Sequence, residues 1–113
     1  MAVRRLKRRP EFLQVASSGQ KSAMPGLVLQ AHARGDADPL RVGFTASRKV
    51  GGAVQRNRAK RRLRAAVDQV LAAKGHAGRD YVVIARAETV KRPFHLLIDD
   101  LGRALDRVDR ERR

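Results

Sequence analysis

The 113-residue sequence contains no cysteine and no tryptophan, one tyrosine and three phenylalanines. Without cysteine there can be no disulfide and no thiolate metal site, a composition that suits a reducing cytosol. With so few rings the core must rest on Val, Leu, Ile and Ala, and the bases of a nucleic acid would find few stacking platforms. Acid is scarce as well: 11 Asp and Glu stand against 26 Lys and Arg, a net charge of +15. Self-repulsion of that size works against compactness unless a polyanion screens it, and nucleic acid is the obvious screen. Residues 1–67 hold 16 basic and 3 acidic side chains (+13) and residues 68–113 hold 10 and 8 (+2), so the partner is expected on the first two-thirds.

Long apolar runs are also missing. None approaches the roughly 20 residues of a membrane span, and the basic start has no apolar stretch with a cleavage site behind it. A soluble, cytoplasmic protein is expected, and the length suits one domain.

Residues 1–9 carry Arg4, Arg5, Lys7, Arg8 and Arg9, a run expected to lie along phosphates or stay mobile ahead of a domain spanning 10–113. Pro10 suits a first helical position and Gly19 a stop, which predicts a helix over 10–18 containing Phe12 and Val15, with a brief edge strand over 20–23. After Pro25-Gly26, residues 27–32 alternate: Leu27, Leu29 and Ala31 on one face, Val28, Gln30 and His32 on the other. A second strand over 40–47 sets Val42, Phe44 and Ala46 against Arg41, Gly43, Thr45 and Ser47, and the two strands look like an antiparallel pair.

A long helix is predicted over 53–73, because Leu63, Ala66, Val67, Val70 and Leu71 recur at helical spacing. Residues 81–85, Tyr-Val-Val-Ile-Ala, are apolar enough for a central strand buried on both faces. A final helix from Phe94 to about Val108 shows an apolar stripe, with Asp99 and Asp100 largely outside it. The expected fold is an α/β single-domain sandwich in the order α-β-β-β-α-β-α.

Chemistry concentrates between residues 48 and 64, where Arg48, Lys49, Arg56, Arg58, Lys60, Arg61, Arg62 and Arg64 occur without one acid. A merely solvated face would carry mixed charge, so phosphate contact is the better reading. At 100° per residue, Arg58, Arg61 and Arg62 turn away from the Leu63 face and should make exposed polyanion contacts. Arg56 and Lys60 lie in line with the apolar stripe ahead of its start, and should overhang the sheet towards a cleft. Asn57 could hydrogen-bond the Gly51-Gly52 loop or a nucleotide. That loop is either a simple turn or a close approach of backbone to phosphate. His32, His76 and His95 fall on different elements, and nothing assembles an acid/base pair or a metal cage.

The run Arg41-Val42-Gly43-Phe44-Thr45-Ala46-Ser47-Arg48-Lys49-Val50-Gly51, followed by Ala53-Val54-Gln55-Arg56-Asn57-Arg58-Ala59-Lys60-Arg61-Arg62-Leu63-Arg64, resembles the protein subunit of bacterial ribonuclease P. Arg5-Leu6-Lys7 with Glu11-Phe12 and Gly19, and Asp80 to Arg86, extend the resemblance over nearly the whole chain. It implies a left-handed β-α-β crossover, against the usual right-handed rule. It also implies a partner RNA that performs the chemistry, removing 5′ leaders from precursor tRNA with magnesium held by RNA and substrate and with none bound by the protein alone. The protein's catalytic set is then empty, and neither a membrane nor an obligate protein partner is called for.

By similarity, Arg48, Lys49, Gly51, Gly52, Arg56, Asn57, Arg58, Lys60, Arg61, Arg62 and Arg64 would dock on the RNA subunit. The leader would run between the first helix and the sheet, past Phe12, Val28, Gln30, Thr45, Ser47 and Ala85, with Lys49, Arg56 and Lys60 at the basic end. Phe12 could equally be ordinary core. The family often has aromatics where this chain has Ala16 and Gln30, so leader bases should be gripped less by stacking and more by charge. Two other readings use the same helix: a ribosome-associated or tRNA-binding protein with no processing role, and a helix-turn-helix DNA binder, which the flanking strands disfavour.

Overall fold

A computed structural model describes residues 3–111. In chain order the elements are β1 (Arg4–Arg5), α1 (Arg9–Ser18), β2 (Gln20–Ala23), β3 (Leu27–Ala33), β4 (Arg41–Thr45), α2 (Ala53–Lys74), β5 (Arg79–Ala85) and α3 (Phe94–Glu111). Short 3-10 turns at Arg48–Val50 and Ala87–Val90 follow β4 and β5. The five strands form one sheet in the order β1-β4-β5-β3-β2.

Three expectations need correction. First, β3 and β4 are not paired: β5 lies between them, antiparallel to β3 and parallel to β4. The most apolar strand takes the place with two neighbours and two covered faces, and the connection after β3 need only span two strand spacings, about 10 Å. That connection is tied to the start of β5. The Arg34 guanidinium donates to the carbonyls of Asp38 and Pro39 (both 3.0 Å) and to Asp80 Oδ1 (2.6 Å), while Gly78 N donates to Asp38 O at 2.7 Å. Gly78 sits at φ +77°, where a Cβ would also come within 2.2 Å of Asp36 O, so glycine is required there.

Second, the amino-terminal basic run is part of the fold. Arg4 and Arg5 pair in parallel with Arg41 and Val42, Arg4 N and Leu6 N donate to Leu40 O and Val42 O, and Leu6 is buried. The side chain of Leu6 anchors the segment; composition alone hides one apolar residue among five cations.

The sheet has two covered faces. Leu27, Leu29, Val42, Tyr81 and Val83 pack against α2 through Ala59, Leu63, Val67 and Leu71 and against α3 through Leu101, Leu105 and Val108. On the opposite face Leu6, Val15 and Val82 form a smaller core under α1, with Phe12 and Ile84 against it. No helix among the described residues is long and apolar enough to cross a membrane.

Third, Asp100, expected outside the apolar stripe of α3, is buried. It accepts from Arg92 Nε (2.6 Å) and Nη2 (3.1 Å) and from Gly26 N (3.0 Å), so the β2–β3 turn is fastened to α3. Burial of this carboxylate is possible because its oxygens are occupied. Asp100→Asn should therefore cost about 2 kcal/mol, read as a shift in the denaturation midpoint at unchanged slope. A midpoint within error of the parent would show that the contact adds nothing.

Candidate nucleic-acid interface

On the α1 face, strand register aligns three cross-strand rows. Arg41, Asp80 and His32 form the first, Gly43, Val82 and Gln30 the second, and Thr45, Ile84 and Val28 the third. Phe12 lies over the second row: a Cβ at Gly43 would come within 2.4 Å of its ring. The ring is half-buried, so it belongs to the small core and is still partly open. Thr45, Ile84 and Val28 are also half-buried and leave a shallow apolar floor beside α1. The structure thus brings Phe12, Val28, Gln30 and Thr45 together on one face, as the family resemblance implies.

Ala85 is the exception. Period-two alternation puts it with Val83 and Tyr81 in the main core, 6% exposed, and Ile84 occupies the cleft face in its place. Counting alternate residues from the core-facing Tyr81 would have found both Ile84 and Val82. Beyond the third row lies a groove of about 560 Å³ lined by Ser47, Lys49, Ile84, Arg86, Pro25 and Glu88, with the edge of Ala85. Ser47 Oγ accepts from Lys49 N at 3.3 Å, capping the 3-10 turn, and buried Val50 anchors that turn to the core. Lys49 and Arg86 are exposed and give this end of the face its charge.

The first row closes the other end. Asp80 accepts from Arg41 Nε (2.8 Å) and Nη2 (2.7 Å) and from Arg34, while Arg41 Nη1 meets Glu11 Oε2 at 2.5 Å. Burial alone would raise the Asp80 carboxyl, but the hydrogen bonds from Arg41 and Arg34 outweigh it and hold the group below the usual carboxylate range. Glu11 is lowered chiefly by the backbone N–H groups of Arg8 and Lys7, with Arg41 assisting. Carboxylates lowered in this way add stability that is fully present above their unfolded values near pH 4 and is lost as the pH falls through the lower folded values. Asp80→Asn should therefore be less stable than the parent at pH 7, and the gap should close in urea titrations taken towards pH 2. A gap independent of pH would refute the ion pair's role.

The basic helix α2 lies on the opposite face. It starts at Gly52 with no side-chain cap and no acid in its first turn. Gly51 has φ +142° and a Cβ there would meet Gln55 at 2.9 Å, so the fold itself demands this glycine. Gly52 has φ −73° and a Cβ would find only Gln55 Oε1 at 3.4 Å, so nothing inside the chain forbids a side chain. The simple-turn reading accounts for Gly51 and leaves Gly52 unexplained by packing. Asn57 is exposed and makes no hydrogen bond to this loop.

Along α2, Ala59 and Leu63 are fully buried, Arg58, Arg61 and Arg64 are exposed, and Arg56 and Lys60 are half-buried at the flank. Because α1 and α2 cover opposite faces, Arg56 and Lys60 do not line the Ser47–Lys49 groove. Arg62 departs from expectation more sharply. It is half-buried, and its guanidinium donates to the carbonyls of Val90 and Arg92. One turn from buried Ala59 and Ala66, it borders the packed seam, where its long stem reaches the turn after β5. Arg62 fixes α2 to that turn, and two of its N–H groups are committed there. Among the described residues no three His, Asp or Glu side chains come together as a metal cage.

A family model described as Ribonuclease P matches residues 2–109. The ribonuclease P protein component of Paramagnetospirillum magneticum is 59% identical over 108 residues, covering 92% of this chain and 81% of that protein. That of Gluconacetobacter diazotrophicus is 54% identical over 101 residues, covering 89% and 87%. Among solved structures, the RNase P protein from Thermotoga maritima superposes with a TM-score of 0.77 at 29% identity, covering 92% of this chain and 96% of that one. The Staphylococcus aureus RNase P protein gives 0.75 at 25% identity, covering 90% and 92%.

Proposed function

This chain belongs to the ribonuclease P protein family, as a component of the endoribonuclease that matures the 5′ end of tRNA, and we propose how its surfaces divide that task. Helix α2 and the Gly51-Gly52 loop dock on the catalytic RNA through Arg48, Lys49, Arg56, Arg58, Lys60, Arg61 and Arg64, with Asn57 free to meet a nucleotide. Arg62 is left out of that set because both of its terminal nitrogens already donate to the Val90 and Arg92 carbonyls and it is half-buried.

The 5′ leader of precursor tRNA lies along the α1 face. The observation that carries this reading is the half-open row of Thr45, Ile84 and Val28 beside Phe12, which ends at Ser47, Lys49 and Arg86. Such a surface offers one ring, a few methyl groups and a basic end, which suits a single strand held with little base preference. In this reading magnesium is held by the catalytic RNA and the substrate phosphates. The protein's share is leader contact and neutralisation of backbone charge, so that precursor binds more tightly than mature tRNA and product leaves. In this reading the protein acts in the cytoplasm, where its precursor-tRNA substrate would be.

The test is reconstitution. Adding the chain to a bacterial ribonuclease P RNA and precursor tRNA at low magnesium should restore cleavage at the mature 5′ end. RNA binding without any gain in cleavage would overturn the reading in favour of a basic protein with no processing role.

A further inference from the structure

The basic amino-terminal segment, built into the sheet as β1, lines a groove of about 530 Å³ with Arg4, Arg5, Lys7, Arg8, Glu11 and Arg41. The acids at this edge are already engaged. Glu11 Oε1 accepts the backbone N–H groups of Lys7 (3.1 Å) and Arg8 (3.0 Å), its Oε2 faces Arg41, and both oxygens of Asp80 are taken by Arg41 and Arg34. Arg4, Arg5, Lys7 and Arg8 form no ion pair with any described residue. Four uncompensated cations are therefore held on a fixed backbone, by a ladder on one side and by the Glu11 carboxylate on the other.

The edge joins the basic helix. Strand alternation turns Leu6, and with it Arg4, towards the α1 face, while Arg5 stands over the Phe44 ring at 5.4 Å on the α2 face. Arg5 and Phe44 share a second depression with Arg64 of α2, where Asp68 is the one acid. Positive charge thus continues from α2 through Arg5 around the sheet edge to Arg4, Lys7 and Arg8.

We propose that this β1 edge is a second RNA-phosphate site, in which Arg4, Lys7 and Arg8 seat consecutive backbone phosphates of a strand that wraps from α2 around the rim of the sheet. It rests on the RNA-binding reading above and adds to it a separate surface with its own ligand. The cations sit on ordered backbone, so little conformational entropy is lost when phosphate arrives. Stacking has no part here, and the site takes phosphate without regard to sequence.

The experiment compares the parent chain with the triple variant Arg4→Gln, Lys7→Gln, Arg8→Gln, which keeps Glu11, Leu6 and the β1 ladder. Circular dichroism melting checks that both fold. Arg103→Gln with Arg107→Gln, on the exposed side of α3, serves as the control for general charge. Affinity is titrated against salt in two arms, the chain on ribonuclease P RNA alone and the assembled holoenzyme on precursor tRNA. Loss of three phosphate contacts should lower the slope of log Kd against log salt by about 2 to 3, since each contact releases close to one counterion. A lowered slope in the first arm assigns the site to the catalytic RNA, and in the second arm alone to the precursor. Parent-like slopes in both arms, or a control that drops equally, overturn the proposal. If the parent chain itself fails to bind either RNA, the underlying functional reading falls with it, and that outcome is distinct because it appears before any variant is compared.

Discussion

Alanine at Arg56, Lys60 and Arg64 together is expected to weaken holoenzyme assembly on the order of a hundredfold at low magnesium and far less at high magnesium. The three side chains occupy successive turns of α2, beside the Ala59-Leu63 seam, and none forms an ion pair with a described residue. Each contact between a cation and a phosphate contributes roughly 1 kcal/mol net, so losing three lowers affinity about a hundredfold. Magnesium neutralises the same phosphates and so replaces the missing charge when it is abundant. Precursor cleavage measured across a magnesium series should therefore show the variant approaching the parent at the high end. Equal activity at both ends would remove α2 from the RNA interface. Arg62→Ala provides the contrast: it should lower the thermal midpoint by releasing the Val90 and Arg92 carbonyls and leave the salt slope of binding unchanged.

Gly43→Ala should separate leader recognition from RNA docking. The new Cβ would lie 2.4 and 2.5 Å from two ring carbons of Phe12 and 3.2 Å from Leu6 Cβ, so the ring must leave its place over the second row. Overpacking of that kind costs about 1 to 3 kcal/mol of stability. The functional loss is larger in kind, because Phe12 is the one phenyl, tyrosyl or indole ring among the described residues on this face and a stacked base is worth roughly 1 to 3 kcal/mol. The ratio of precursor to mature-tRNA affinity should fall about tenfold or more, with affinity for the RNA subunit nearly unchanged. A preserved ratio would mean that the leader does not use Phe12. Ala16, one turn further along α1, is exposed and supplies no second ring.

Legibility of the site followed the kind of information each part needs. Periodicity located α2 to within a residue, because Leu63, Val67, Val70 and Leu71 repeat along one local helix. Alternation put Val28 with Gln30 on one face of β3 and Thr45 with Gly43 on one face of β4, and the family resemblance joined the two faces before any partner strand was known. Ala85 was misplaced because a strand apolar on both faces carries no visible alternation, and its face is fixed only by the register with β3 and β4. Arg62 and Asp100 were misplaced for a related reason. Their residue types belong on surfaces, and only a carbonyl pair 28 and 30 residues away, or an arginine and a turn N–H, makes their burial tolerable.

By itself the sequence determined the partner's chemical class, the helices, four of the five strands and the family, because charge, periodicity and a long contiguous motif are local quantities that survive without coordinates. Tertiary structure decided which strand lies at the centre, which face each residue of β5 serves, which arginines are free for phosphate, and that the amino-terminal cations line a fixed edge. Those are outcomes of pairing between segments far apart in the chain, where burial of Leu6, Val82 and Leu63 selects one arrangement and the charged groups take the places it leaves.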